Sequence, residues 1–257
     1  MPEQLISERL IENLTRLRLP RMRDIFSEMI KTAEIEDWSY LTLLDRLLDE
    51  EVVTKEQKRI SNSLRTSGLP YVKTIDEFDF TFQPGINRQQ ISNLFDLTFL
   101  DRRENILFLG PPGVGKTHLA TALAVKSCQS GRSIHFTTMA DLIARLRIDR
   151  DAGRIGRSRR PYCCSDVIVV DEVGYTPIDR DECNLFYSFV ATRYEKASTI
   201  ITSNKAFGEW SELFHDPVIV TAILDRLLHH STVVNIKGSS YRLKDKLAEE
   251  VTQTETE

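Results

Sequence analysis

Residues Gly110, Pro111, Pro112, Gly113, Val114, Gly115, Lys116 and Thr117 fit the pattern G-x-x-x-x-G-K-[ST]. Inward-turned backbone N–H groups in such a loop cradle phosphates, and glycine permits both the conformation and the close approach. Lys116 is expected to reach the β- and γ-phosphates as a point charge, and the Thr117 hydroxyl to ligate Mg²⁺. His118 follows directly and is counted with the loop as nucleotide-binding. The apolar run "NILFLG" precedes the loop and a helical pattern follows it. The phosphates would therefore also meet the positive end of a helix.

About fifty residues on, "DVIVVDE" brings four apolar residues to Asp171 and Glu172. A buried strand would deliver both carboxylates at its C-terminal end, where open α/β sheets bind ligands. Asp171 is the expected second holder of Mg²⁺, through water. Glu172 is the expected general base that polarises an attacking water. A third strand, "TIITSN", ends in Asn204, which can hydrogen-bond the γ-phosphate or the water if the two strands are neighbours. Arg226 lies in an otherwise apolar helix and reads as an arginine finger for a neighbouring subunit's ATP site, with a pair to Asp225 as the plainer alternative. Arg242 follows the last strand and is placed to touch nucleotide in its own subunit.

The elements that must position these residues alternate from Asn105 onward. Strands are expected at "NILFLG", "SIHFTT", "DVIVVDE", "STIITSN" and "STVVNI", with helices over 115–130, 139–150, 179–196 and 217–229. Short apolar strands separated by helices predict a five-stranded parallel sheet covered on both faces, an α/β fold. Residues 1–70 read as a small all-helical domain. Leu5, Ile6, Leu10, Leu14 and Leu17 form one stripe, and Ile25, Phe26, Met29 and Ile30 another. Both are expected to build that domain's core. Pro20 interrupts the first stripe, Ser39 caps a longer helix to about Arg65, and Gly68 and Pro70 end it. Residues 71–86 form a linker, Asn87 caps a helix to about Leu100, the main domain runs to 245, and the polar tail 246–257 is expected to be disordered.

The 257 residues, 41% hydrophobic and 28% charged, suit a water-exposed globular protein. No apolar run is long enough to span a bilayer, and the N-terminus lacks a signal-peptide core, so a cytoplasmic location is expected. The net charge of -4 excludes a uniformly basic nucleic-acid binder but not a local patch. Cys128, Cys163, Cys164 and Cys183 form no C-x-x-C pair and are expected to be reduced structural thiols. The histidines lack metal-binding spacing, and adjacent His229 and His230 should diverge on a helix.

Four stretches in order, "GPPGVGKTHLA", "DVIVVDEVGYTPID", "RYEKASTIITSNKAFGEW" and "AILDRLLHHSTVVNIKGSSYRLK", closely resemble the IstB-type transposition helper ATPases. These belong with the DnaC-type helicase loaders in the AAA+ superfamily. The similarity covers the whole ATPase part, and the N-terminal helices and "FDFTFQPGINRQQI" also look like the family's. The resemblance implies an AAA+ core with a small helical N-terminal domain and little or no separate lid. It implies ATP-dependent self-assembly on duplex DNA, which is then presented to the transposase of the same insertion sequence. It places the nucleotide chemistry on Lys116, Thr117, Asp171, Glu172 and Asn204, and the finger on Arg226. The approach "RSRRPYCCS" to the acidic strand departs from the expected apolar pattern and leaves that strand's start open.

Residues 144–160 hold seven arginines, Arg145, Arg147, Arg150, Arg154, Arg157, Arg159 and Arg160, against only Asp149 and Asp151. They are expected to meet DNA phosphates with little sequence preference. A solvated charge run is the plainer reading. Arg16, Arg18, Arg21 and Arg23 form a second candidate patch, offset by acids. Two alternatives share the phosphate loop: a replicative helicase loader, and a P-loop kinase with no DNA role.

Overall fold

The computed structural model describes residues 3–154, 160–214 and 216–243. The chain divides into two compact units, the first ending at Asn62 and the second beginning at Ser63. The expected tail lies outside the described residues. Among the described residues no helix is long and apolar enough to cross a membrane.

The first unit holds α1 (Glu3–Arg16), α2 (Pro20–Ile35) and most of α3 (Tyr40–Thr66). Pro20 stands at the first turn of α2, where its missing N–H costs nothing. Ser39 Oγ accepts from Thr42 N at 3.1 Å at the entry to α3. The core is smaller than the stripes predict. Leu14, Met22, Phe26 and Leu47 are buried, with Ile25 and Met29 packed beside them. Leu5, Ile6, Leu10, Leu17 and Ile30 are exposed, Leu17 by 67%. Only a few side chains from the three helices meet in this core, so much of each apolar stripe stays uncovered within the unit. Glu51 is buried there and accepts from Met22 N at 2.9 Å, tying α3 to the start of α2.

The second unit takes the last turn of α3, ahead of the boundary at 70. The reason is local: Phe136 N donates to Ser67 O at 2.6 Å. Gly68, at φ 81°, comes so close to the Phe136 carbonyl that a Cβ would clash. Next come α4 (Arg88–Phe95) and α5 (Thr98–Asp101). Asn87 accepts from Gln90 N as an N-cap. The single helix expected to Leu100 is broken at Leu97, which takes φ 60°, and the break turns Phe99 into the core.

The remaining order is β1 (Asn105–Leu109), α6 (Lys116–Gln129), β2 (Ile134–Thr138), α7 (Met139–Asp151), α8 (Pro161–Cys164), β3 (Val167–Val173), α9 (Arg180–Arg193), β4 (Ser198–Ser203), α10 (Trp210–Phe214), α11 (Pro217–His229) and β5 (Ser231–Asn235). The strands form one sheet in the order β2-β3-β4-β1-β5, with every pairing parallel. β1, β3 and β4 are buried throughout except at Glu172, as strands covered on both faces must be.

The doubtful approach to β3 resolves as α8 followed by Ser165. Arg193, 2% exposed, organises it by donating to the carbonyls of Tyr162, Ser165 and Ser198. Burial lowers its pKa to about 10. Cys128 and Cys183 are buried, Cys163 is half-buried and Cys164 is exposed. Two short elements absent from the sequence reading, α8 and α10, are only four and five residues long, too short for periodicity to register.

Candidate nucleotide site

The phosphate loop leaves the C-terminal end of β1 and closes at Gly115, the N-cap of α6. Gly113 and Gly115 take φ 81° and 98°, which side chains rarely adopt. Space is equally restrictive, since a Cβ at Gly113 would meet Ser240 and one at Gly115 the Phe78 ring. The loop is thus packed on one side by the linker and on the other by the segment after β5. Two further contacts join those walls. Gln83 Nε2 donates to Ser239 O at 2.9 Å, and Phe82 meets Tyr241 edge-on. His118 turns to the linker, with Nε2 2.9 Å from Thr74 O and its ring against Phe78.

Between these walls lies a cavity of about 270 Å³, lined among others by Tyr71, Phe78, Lys116, Thr117, Glu172 and Arg242. Lys116 Nζ donates to Gly110 O at 2.8 Å and Pro111 O at 2.7 Å. Burial pushes its pKa down and the nearby Asp171 carboxylate pushes it back up. A buried ammonium facing glycine-rich backbone fits a polyphosphate.

The carboxylates stand where β3 passes beside β4. Thr117 Oγ1 donates to Asp171 Oδ1 at 3.0 Å, so the two expected Mg²⁺ ligands already touch. The strand is irregular between Val170 and Val173, and Glu172 takes φ 61° within it. That left-handed turn keeps Asp171 and Val173 buried while exposing Glu172 to the cavity. Left-handed backbone at a non-glycine residue is costly and concentrates at functional sites.

Thr202, read in the sequence only as part of the polar end of its strand, is central here. Its hydroxyl donates to Asp171 Oδ1 in a short contact and accepts from Glu172 N at 3.1 Å. One side chain on β4 therefore engages both acidic residues of β3. Its signal was a polar residue at the end of a buried strand, two positions before the asparagine that drew attention. Asn204 follows β4 with its Oδ1 buried and unpaired, and is not among the residues lining the cavity.

Arg226 stands apart from its own chain's cavity. It donates to Ala222 O at 3.0 Å and lies over the Tyr187 ring at 4.9 Å, a cation–π contact with α9.

The arginine cluster is much less free than its sequence suggests. Arg147 pairs with Asp179 at 2.9 Å and Glu182 at 2.8 Å. Arg150 pairs with Asp151 at 3.0 Å and lies 3.8 Å from Asp181. Arg154 and Arg160 both reach Asp149, at 3.4 and 2.9 Å. Asp149 is fully buried and also accepts from the Tyr162 hydroxyl at 2.7 Å. A buried carboxylate needs such compensation. The counter-charges of Arg147 come from the start of α9, some thirty residues on, which no local count of acids could include. Arg145 and Arg160 line a second cavity of about 630 Å³ beside edge strand β2. Arg157 and Arg159 lie outside the described residues. In the first unit, Arg21 pairs with Glu50 and Arg23 with Asp24.

The lysine loop, the acidic strand end and the sheet order together define a P-loop α/β protein. A solved structure of AMPPCP-bound DnaA from Aquifex aeolicus shares the fold, with a TM-score of 0.55 at 20% identity over 71% of this chain and 56% of that one. A structure titled DnaI shares it with a TM-score of 0.51 at 17% identity, covering 64% of this chain and 90% of that one.

The family model described as "IstB-like ATP binding protein" matches residues 12–249, and the chain belongs to that family. It is 44% identical over 248 residues to the "Insertion sequence IS5376 putative ATP-binding protein" of Geobacillus stearothermophilus, covering 96% of this chain and 99% of that one. It is 45% identical over 233 residues to the "Insertion sequence IS21 putative ATP-binding protein" of Pseudomonas aeruginosa, covering 91% and 88%.

Proposed function

We propose that this chain is a cytoplasmic ATPase that assembles on target duplex DNA and brings the transposase of its insertion sequence to it. The observation that carries the hydrolytic part is the arrangement Thr117–Asp171–Thr202–Glu172 facing the lysine of the phosphate loop. The insertion-sequence relatives support the transposition context.

Gly110 to Thr117 and His118 form the loop that receives ATP, and Arg242 adds positive charge at the cavity wall. Lys116 leaves its two loop carbonyls for phosphate oxygens. Thr117 and Asp171 would hold Mg²⁺, which when bound neutralises phosphate charge. Glu172, free of ion pairs among the described residues, accepts the proton of the attacking water. Thr202 holds Glu172's backbone and Asp171's carboxylate in register, and Asn204 supplies a further polar group at the end of β4. Arg226 serves a neighbouring copy, because its place on α11 is away from its own cavity. The ATPase is assigned to 87–245.

DNA binding is assigned to the arginines of 145–160. Exposed ion pairs contribute only about 0–1 kcal/mol each, so a phosphodiester can displace Asp179 or Asp181 from Arg147 and Arg150. Arg154 and Arg160 are each tied to Asp149 as much as they offer charge.

Steady-state ATP turnover and nucleotide binding test this reading. Lys116→Ala should abolish tight ATP binding. Glu172→Gln should keep ATP bound and lower turnover by about 10²-fold or more. Unchanged turnover in Glu172→Gln would remove the general base and with it the hydrolytic assignment.

A further inference from the structure

Adjacent helical residues diverge by about 100°, and His229 and His230 were expected to do so. They do not. α11 ends at His229, and His230 leaves helical geometry at φ -126°, ψ 86°. The two rings come to 4.0 Å between centroids. Glu195, in the turn between α9 and β4, stands beside them, with its Oε1 3.5 Å from His230 Nε2. One donor atom from each of Glu195, His229 and His230 lies within 4.8 Å of the others, and all three residues are exposed. Among the described residues no other such group of three occurs.

The backbones under these side chains are pinned. Glu195 takes φ 56°, and its carbonyl accepts from Arg103 Nη1 at 2.9 Å. The His230 carbonyl accepts from Asn105 N at 2.8 Å as β1 begins. The Tyr194 hydroxyl lies 2.6 Å from His229 Nδ1 and orients that ring, the kind of outer partner that metal-binding histidines use. The cluster sits where β1, β4 and β5 start, at the opposite end of the strands from Lys116 and Asp171.

We propose that Glu195, His229 and His230 form a second cation site, for a divalent transition metal of the zinc class. Two imidazoles and one carboxylate favour such borderline ions over Mg²⁺, which prefers oxygen donors and water. Tetrahedral coordination with bonds near 2.0–2.1 Å needs donors roughly 3.4 Å apart. Torsions of exposed side chains supply that closure while the backbone stays fixed. Water completes the sphere. The bound ion joins the turn after α9 to the junction of α11 and β5, one turn beyond Arg226. The site does not depend on the ATPase reading.

The test is calorimetric titration of Zn²⁺ into the full chain with excess Mg²⁺ present, together with thermal unfolding. One Zn²⁺ should bind per chain and raise the Tm. His230→Ala and Glu195→Gln, both at exposed positions, should each weaken binding by about tenfold or more. Co²⁺ loaded in place of Zn²⁺ should show visible d–d bands without thiolate charge transfer. Absence of Zn²⁺ binding, or binding unchanged in both variants, or a thiolate band pointing to Cys163 and Cys164, would overturn the site.

Discussion

Thr202 links the two acids of β3 through one hydroxyl, so its substitutions separate positioning from folding. Thr202→Val preserves shape in a fully packed strand and deletes both hydrogen bonds. A net hydrogen bond contributes about 1 kcal/mol, and losing aligned partners around a carboxylate costs more. We expect turnover to fall about 10–100-fold, with a raised Mg²⁺ requirement and ATP binding little changed. Thr202→Ser should recover most of the rate. Equal loss in the serine and valine variants would assign Thr202 to packing alone. Much of the site at this scale was legible in order along the chain: the lysine loop, then an acid pair, then a polar strand end. The loop announces itself because backbone conformation restricts residue type there. Thr202 was hidden because its role depends on which strand lies beside β3. Asn204 drew attention by amide chemistry, but the cavity wall is made by the residue two places earlier.

Strands and helices were readable where apolar periodicity is long, and less so where tertiary contacts override it. The β1–β5 strands and α11 follow their patterns closely, whereas Leu97 breaks a helix that its neighbours favour. The N-terminal stripes show a second limit, since amphipathic spacing says which face is apolar and not whether anything covers it. Electrostatic partners between elements were the least visible. Arg147 on α7 looks free along the chain and is met in space by Asp179 and Glu182 at the start of α9. Asp149 is the anchor of this region, holding Arg154, Arg160 and Tyr162. The Tyr162 hydroxyl foremost, then the arginines, hold its carboxyl below the ordinary aspartate value of 3.8. A depressed folded pKa contributes stability above the unfolded value that is lost as pH falls through the folded one. The stabilisation should therefore be complete at neutral pH, begin to fall below about pH 4 and be lost as pH drops through the lower folded value. Asp149→Asn should cost roughly 1–3 kcal/mol at pH 7, less than a fully buried pair because both arginines are partly solvated. The difference from the parent chain should shrink in acid. Urea unfolding at both pH values measures it, and a pH-independent difference would show that packing, not charge, sets the cost.

The whole molecule joins a phosphate-binding α/β unit to a helical unit with a thin core. The cavity beside Lys116 is walled by the linker and by the segment after β5, so nucleotide occupancy bears on residues at both ends of the second unit. Arg226, held over Tyr187 and away from its own cavity, is available to another copy. On the reading proposed above, assembly is part of catalysis, with DNA gathering copies and each copy completing its neighbour's site. The direct measurement is the specific ATP turnover rate against protein concentration, with and without duplex DNA, in the parent chain and in Arg226→Ala. The rate per chain should rise with concentration and with DNA, and Arg226→Ala should bind ATP normally while losing that rise. A rate per chain that is constant with concentration, indifferent to DNA and unchanged in Arg226→Ala would contradict a site shared between subunits.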